Sequence, residues 1–363
     1  MFRSFSLKRF DFLLVALIGA LNYCGLLAIR SAASELYDRQ LTGICIGLGL
    51  MLAVSVVDYH LILKIHWVLY AASIALLVMV LYAGSSGGGA QRWFSLFGIT
   101  FQPSEAAKIL LILFFAEFII SYRKWLVLPL HLLACIVLII PPVFLVYKEP
   151  DLSTSVMLLL IFCVMMFLGG LEWPIVVAAL AAVGAGFWWI MNQALQGDQG
   201  ILSQYQRNRI LAWLHPENFA DTTAYQTMNS MMAIGSGGVY GKGTNEISSL
   251  LNTGFISESQ TDFIFTVVGE TFGFIGCCAV VVLIFLITIK CFLIAAGAKD
   301  IQGRIIAGGM GAWIGLQSFL NIGVATGLLP NTGIPLPFVS YGLTSLVCLY
   351  AGIGFLLNVR MQE

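Results

Sequence analysis

The chain has 363 residues, 59% of them hydrophobic and only 10% charged, with a formal net charge of zero and a mean hydropathy of +0.93. Soluble domains carry about 25% charged residues, so the composition excludes a soluble globular protein and defines an all-α integral membrane protein, read as a single polytopic membrane domain over 1–363. Zero net charge and the lack of a basic cluster give no nucleic acid a footing.

A transmembrane helix needs roughly 20 mostly apolar residues. The sequence predicts about ten, at 12–30, 41–57, 65–83, 105–122, 126–147, 152–171, 173–195, 263–290, 305–328 and 340–358. The first is expected to be a retained anchor, because no small-residue cleavage site and soluble domain follow it. Pro141 and Pro142 are expected to interrupt the fifth, since proline removes a helix hydrogen bond and crowds the preceding turn. Only Glu172 separates the sixth from the seventh. The eighth apolar stretch is too long for one perpendicular helix and should tilt or project from the bilayer.

Before the eighth span, 196–262 is the only long polar stretch and is read as one large extracellular loop. Its side follows from lysine and arginine. With the N-terminus inside, ten of them fall in cytoplasmic segments and four outside, once the long loop is left out. Both termini are therefore expected in the cytoplasm. After the ninth span, the proline-rich run 329–338 cannot be regular helix, and at membrane depth it must be buried in protein or line a cavity.

The eight cysteines, all in or at the ends of apolar segments with no CxxC pair, read as small packing groups, and the four scattered histidines define no metal site. Two glycine-rich patches fail as nucleotide loops. Gly235-Ser236-Gly237-Gly238-Val239-Tyr240 has tyrosine at the third glycine position of a dinucleotide fingerprint, and Gly241-Lys242-Gly243 lacks the serine or threonine of a phosphate loop.

Few ionisable groups remain for chemistry. Glu105 and Lys108 are three residues apart on one helix face and can pair. They read either as a capped helix start with an outward-snorkelling lysine or as the wall of a polar cavity. Glu149 and Asp151 flank Pro150 in a short connection, as a cation site or merely a wet turn. Glu117 and Glu270 are mid-span acids, read as interior pairing partners. Asp262 stands where the polar stretch meets the eighth span, so its carboxylate can stay wet while facing something held in lipid. Ser259-Gln260-Thr261-Asp262 alternatively resembles a helix capping box with an acid in the first turn.

These same stretches resemble the SEDS family (shape, elongation, division and sporulation) of RodA and FtsW type. The matching runs are Ala90-Gln91-Arg92-Trp93, Phe101-Gln102-Pro103-Ser104-Glu105 with Lys108, Glu149-Pro150-Asp151-Leu152-Ser153-Thr154, Tyr205-Gln206-Arg207, Ala233-Ile234-Gly235-Ser236-Gly237-Gly238, Thr261-Asp262-Phe263-Ile264-Phe265 with Gly269-Glu270, and Asn331-Thr332-Gly333-Ile334-Pro335-Leu336-Pro337-Phe338-Val339-Ser340-Tyr341-Gly342. They occur in family order. Leu343 departs from the second glycine many members carry there, and Asp58-Tyr59 favours the RodA branch.

The resemblance implies a peptidoglycan glycosyltransferase of the cell membrane that polymerises undecaprenyl-linked lipid II at the outer face during elongation. It places the family's essential acid on Asp262, as general base for the acceptor sugar's 4-hydroxyl. Arg92, Glu105, Lys108, Arg207, Arg209, Gln260, Thr261 and Ser340 become candidate substrate-binding residues, and Glu149, Asp151, Glu270 and Asn331 candidate cavity positions. No cofactor is certain. Arginine, lysine or a divalent cation, Mg or Mn, would meet the pyrophosphate charge, and metal ligands stay unassigned. A class B penicillin-binding protein transpeptidase and other elongation-complex proteins are the implied partners. A lipid II flippase and a non-enzymatic wall-synthesis scaffold are the alternatives.

Overall fold

The computed structural model describes residues 9–87, 90–96, 99–122, 128–196, 204–220, 222, 224–243 and 259–362. In chain order the helices are α1 (Phe12–Ala32), α2 (Tyr37–Val56), α3 (Tyr59–Leu63), α4 (His66–Ala83), α5 (Pro103–Ser121), α6 (Leu128–Lys148), α7 (Leu152–Leu168), α8 (Trp173–Gln196), α9 (Gln204–Leu214), α10 (Tyr225–Ser236), α11 (Ile264–Gly297), α12 (Ile301–Ala325) and α13 (Leu343–Gln362). Eight of these are long and apolar enough to cross a membrane. The 17-residue α7 and the 19-residue α5, which carries Glu105, Lys108 and Glu117, bring the spans among the described residues to ten.

The 196–262 stretch, expected as one large loop, holds two helices among its described residues. It contains α9 and α10, joined through a 3-10 turn at Pro216–Phe219. Between α4 and α5 lies a small antiparallel sheet, β1 (Ser85–Gly87), β2 (Ala90–Leu96) and β3 (Ile99–Phe101) in the order β1-β2-β3. The sequence pattern did not announce it, because strands this short show little alternation.

α5, α12 and α13 are the most buried spans and α8 the least. The position of α12 follows from its glycines. A Cβ on Gly308 would lie 1.9 Å from Leu168 Cδ1 of α7, and one on Gly311 would lie 2.9 Å from Cys291 Cβ of α11. Lacking those atoms, the backbones approach closely, as small residues allow in membrane bundles.

Two expectations about the spans change. The paired prolines do not interrupt α6, which runs through Pro141 and Pro142. Pro142 leaves the carbonyl of Leu138 without its helical donor, and the Tyr70 hydroxyl of α4 donates to it at 2.9 Å. A neighbouring helix thus satisfies the freed group, which is how membrane helices tolerate proline. The 34-residue α11, in contrast, is broken at Gly273, whose φ of 66° and ψ of −162° are not helical. The break divides the span near one end.

The break exposes backbone groups, and the glycine-rich segment after α10 satisfies them. Lys242 N–H donates to the Glu270 carbonyl at 2.9 Å and Gly243 N–H to Thr271 at 3.0 Å, while Phe274 N–H donates to the Gly238 carbonyl at 2.9 Å. A Cβ on Gly241 would lie 2.2 Å from the Thr271 carbonyl oxygen, and one on Gly273 would lie 2.3 Å from the Gly241 nitrogen. Glycine is required on both sides of this contact. The patch that fails as a nucleotide loop is therefore a plug for a broken span.

At the other end of the bundle, Asp58, Tyr59, His60 and Asp300 tie the α2–α3 turn to the start of α12. His60 lies 2.8 Å from Asp58 through Nδ1 and 2.8 Å from Asp300 through Nε2. The Tyr59 hydroxyl donates to Asp300 at 2.8 Å. Burial pushes the Asp58 carboxyl up, but hydrogen bonds from the His60 side chain, Gln362 and the His60 backbone outweigh it and hold the group below the usual carboxylate value. A lowered carboxyl stabilises the fold above its unfolded pKa of about 4, and that contribution is lost as pH falls further.

Candidate active site

Asp262 lies in a turn over 259–263, immediately before α11. The capping-box reading is not realised. The helix begins at Ile264, Phe263 occupies the cap position, and no side chain bonds there. What holds the turn is a set of clamps on its carbonyls. Asn321 Nδ2 of α12 donates to the Asp262 carbonyl at 2.7 Å. The Ser340 hydroxyl donates to the Thr261 carbonyl at 2.6 Å and accepts from Leu336 N–H at 2.7 Å. Tyr341 N–H donates to the Gln260 carbonyl at 2.9 Å. The segment 329–342 thus folds back onto the turn, and much of it is buried in protein. Asp262 itself is half-buried.

Glu105 and Lys108 are buried, at 2% and 1% relative exposure. Lys108 does not snorkel. Its Nζ lies 2.6 Å from Glu105 Oε1 and donates to Gln317 Oε1 at 2.8 Å, and it sits 4.6 Å from the centre of the Trp313 ring. Ser345 of α13 donates to Glu105 Oε2 at 2.9 Å. Nor does Ser104 cap α5, whose cap position is Gln102 with Pro103 following. An ion pair this deep persists because every charge is paired and hydrogen-bonded.

Glu149 and Asp151 are not a wet turn, being 1% and 2% exposed around Pro150, whose φ is 30°. Asp151 accepts from Thr154 N–H at 3.1 Å and so caps α7. It is also near enough to Lys108 to act on its charge. Glu270, 1% exposed, pairs with Lys242 at 3.0 Å, the interior pairing expected of it. Glu117 accepts instead from the Ser121 hydroxyl one turn on.

Two of the candidate arginines bond to backbone carbonyls. Arg207 donates to the Ala194 carbonyl at 3.0 Å. Arg209 donates to the Asn331 carbonyl at 3.1 Å and borders a small cavity with Trp213, Met228 and Asn331, between α9, α10 and the segment after α12. Arg92 is on β2, and its side chain lies outside the described residues. Among the described residues, no three histidine, cysteine, aspartate or glutamate side chains converge as a metal site.

Sequence reasoning missed Gln317, Asn321 and Trp313. Their signal was available: two amides four residues apart, on one face of an otherwise apolar span.

A bundle of ten spans with a buried, fully bonded ion pair, and a carboxylate on a clamped turn at the mouth of a broken span, is a polytopic membrane protein with a polar site near one membrane face. The model for the FtsW/RodA/SpoVE family, described as cell cycle proteins, matches residues 7–363, and the chain belongs to that family. It is 35% identical over 357 residues to the peptidoglycan glycosyltransferase MrdB of Escherichia coli K12, covering 97% of this chain and 93% of that one. It is 31% identical to the probable peptidoglycan glycosyltransferase FtsW of Geobacter sulfurreducens, covering 98% and 96%. Among solved structures, it resembles a chain of a peptidoglycan synthase complex that coordinates polymerization and crosslinking, with a TM-score of 0.79, 28% identity and 97% of both chains covered. The rod shape determining protein RodA of Thermus thermophilus matches with a TM-score of 0.71 and 27% identity, covering 97% of this chain and 96% of that one.

Proposed function

We infer that this chain is a peptidoglycan glycosyltransferase that polymerises lipid II into glycan strands during cell-wall elongation, with Asp262 as general base. Family membership over nearly the whole chain supports the activity. The observation that carries the site is the half-buried Asp262 on a turn fixed through its backbone. In the reaction, the acceptor sugar's 4-oxygen bonds to the donor's anomeric carbon. The bond from that carbon to undecaprenyl pyrophosphate breaks, and the hydroxyl proton passes to Asp262. A positioned base contributes typically 10²–10⁴-fold. Formation of polymer by the purified chain tests the reading and separates it from a flippase or a scaffold.

The charge left on the pyrophosphate is met by directed cationic groups. Arg207 and Arg209, both on α9, are the candidates for that charge, while Lys108 is committed to its buried network. A divalent cation, Mg or Mn, would take one or two protein carboxylates with phosphate oxygens completing its shell. Asp262 would be the carboxylate that holds it. When bound, the ion would offset charge on the leaving pyrophosphate. Chelation with EDTA should then stop polymerisation and added Mg or Mn restore it; an unchanged rate in EDTA would leave the task to arginine alone.

The site is assigned to the outer face of the cell membrane, with both termini cytoplasmic, on the loop-charge asymmetry. Tyr240, 82% exposed, is a suitable reporter. A cysteine placed there should react with an impermeant reagent from outside. Reaction only from the cytoplasm would overturn the orientation and the site together. A class B penicillin-binding protein transpeptidase is the proposed partner, with other elongation-complex proteins beyond it. The structural likeness to a synthase complex supports this, and co-purification from membranes tests it.

A further inference from the structure

We propose that Asn321 is a positioning residue for the reaction, holding the Asp262 turn in register with the 329–342 segment and, through its neighbour Gln317, with the Glu105–Lys108 pair. The inference rests on the reading of Asp262 as base. Asn321 has one amide nitrogen with two hydrogens, and both are used on carbonyls from different segments, Asp262 at 2.7 Å and Ile334 at 2.7 Å. Turned the other way, its oxygen would face two carbonyl oxygens, so the amide has one tolerable orientation. One helical turn earlier, Gln317 donates to the next carbonyl along, Pro335, at 2.9 Å. Its oxygen accepts from Lys108 at 2.8 Å and from the Trp313 indole. Two amides at i and i+4 on α12 therefore grip adjacent carbonyls, 334 and 335. One amide reaches the base turn, the other the buried ion pair.

Packing alone does not explain this choice. Asn321 is 1% exposed inside a membrane span. Its Oδ1 is buried with no partner among the described residues, a cost that leucine of similar size would not carry. The residue is kept for its donors. Asp262 needs what they give, because its turn precedes the helix with no cap bond to fix it, and a base misplaced by about 1 Å loses about 10²-fold.

The test is kinetic, on the full-length protein with lipid II. Asn321→Leu keeps the volume and removes both donors; Asn321→Ser keeps one donor and serves should the leucine variant misfold. Lipid II polymerisation by Asn321→Leu should show kcat lower by roughly 10–100-fold with KM nearly unchanged, and Asn321→Ser should fall between it and wild type. The decisive comparison is with Asp262→Asn. A residue acting only through Asp262 adds nothing once the base is gone, so the Asp262→Asn/Asn321→Leu double variant should be no slower than Asp262→Asn. Wild-type kcat per folded molecule in both Asn321 variants, or losses that multiply in the double variant, would overturn the proposal while leaving Asp262 as base. Full activity in Asp262→Asn would remove the base and the positioning role with it.

Discussion

Asp262→Asn is expected to yield a folded protein that polymerises lipid II at least roughly 10² more slowly, the lower end of what loss of a general base costs. The substitution keeps the side chain's size and removes the carboxylate. The clamps on the turn act on the backbone carbonyls of Gln260, Thr261 and Asp262, so they survive it. Stability should accordingly stay within about 1 kcal/mol of wild type, as for a partly exposed residue outside any cap. Melting in detergent and partner co-purification check that half of the expectation. A helix-capping role predicts the opposite pattern: a lower melting temperature with activity retained per folded molecule. A near wild-type rate in a well-folded Asp262→Asn protein would end the assignment.

The second large effect is on stability. Lys108→Met removes the cation paired with Glu105 and leaves that carboxylate with the Ser345 hydroxyl among the described residues. Breaking a buried pair by deleting one partner costs about 3–5 kcal/mol. Glu105→Gln should cost less, because Lys108 keeps Gln317 and the Trp313 face. Replacing both, as Glu105→Gln with Lys108→Met, removes the stranded charge, so the double variant should melt above Lys108→Met. Thermal unfolding of the three variants decides this. A double variant less stable than Lys108→Met would show that the pair is not the source of the effect.

The ten spans were legible because their signal is hydropathy over about 20 residues, which needs no knowledge of neighbours. The break in α11 was not. Gly273 is one of several glycines in that apolar stretch, and only its contact with Gly241, about thirty residues away, shows why the helix ends there. Pro142 misled in the other direction, since the hydroxyl that rescues the Leu138 carbonyl comes from Tyr70 on another span. In the site, the candidate acids and bases could be named from the sequence as rare charges in an apolar chain. Their pairings could be guessed only where i and i+3 spacing made them local, as for Glu105 and Lys108. The Glu270–Lys242 pair and the grip of Asn321 on the Asp262 turn join residues 28 and 59 positions apart, and nothing local encodes them. Ser340, a candidate substrate residue, has its hydroxyl in the clamp on the Asp262 turn.

The central claim is that this chain itself joins lipid II units. The most direct measurement supplies purified wild-type protein in nanodiscs, alone and with its co-purified transpeptidase, with labelled lipid II, and resolves the products by length. The account predicts a ladder of glycan strands from wild type and at least roughly 10² less from Asp262→Asn. Lipid II that is bound or moved across the bilayer by a folded wild-type protein in both settings, without any polymer, would contradict it.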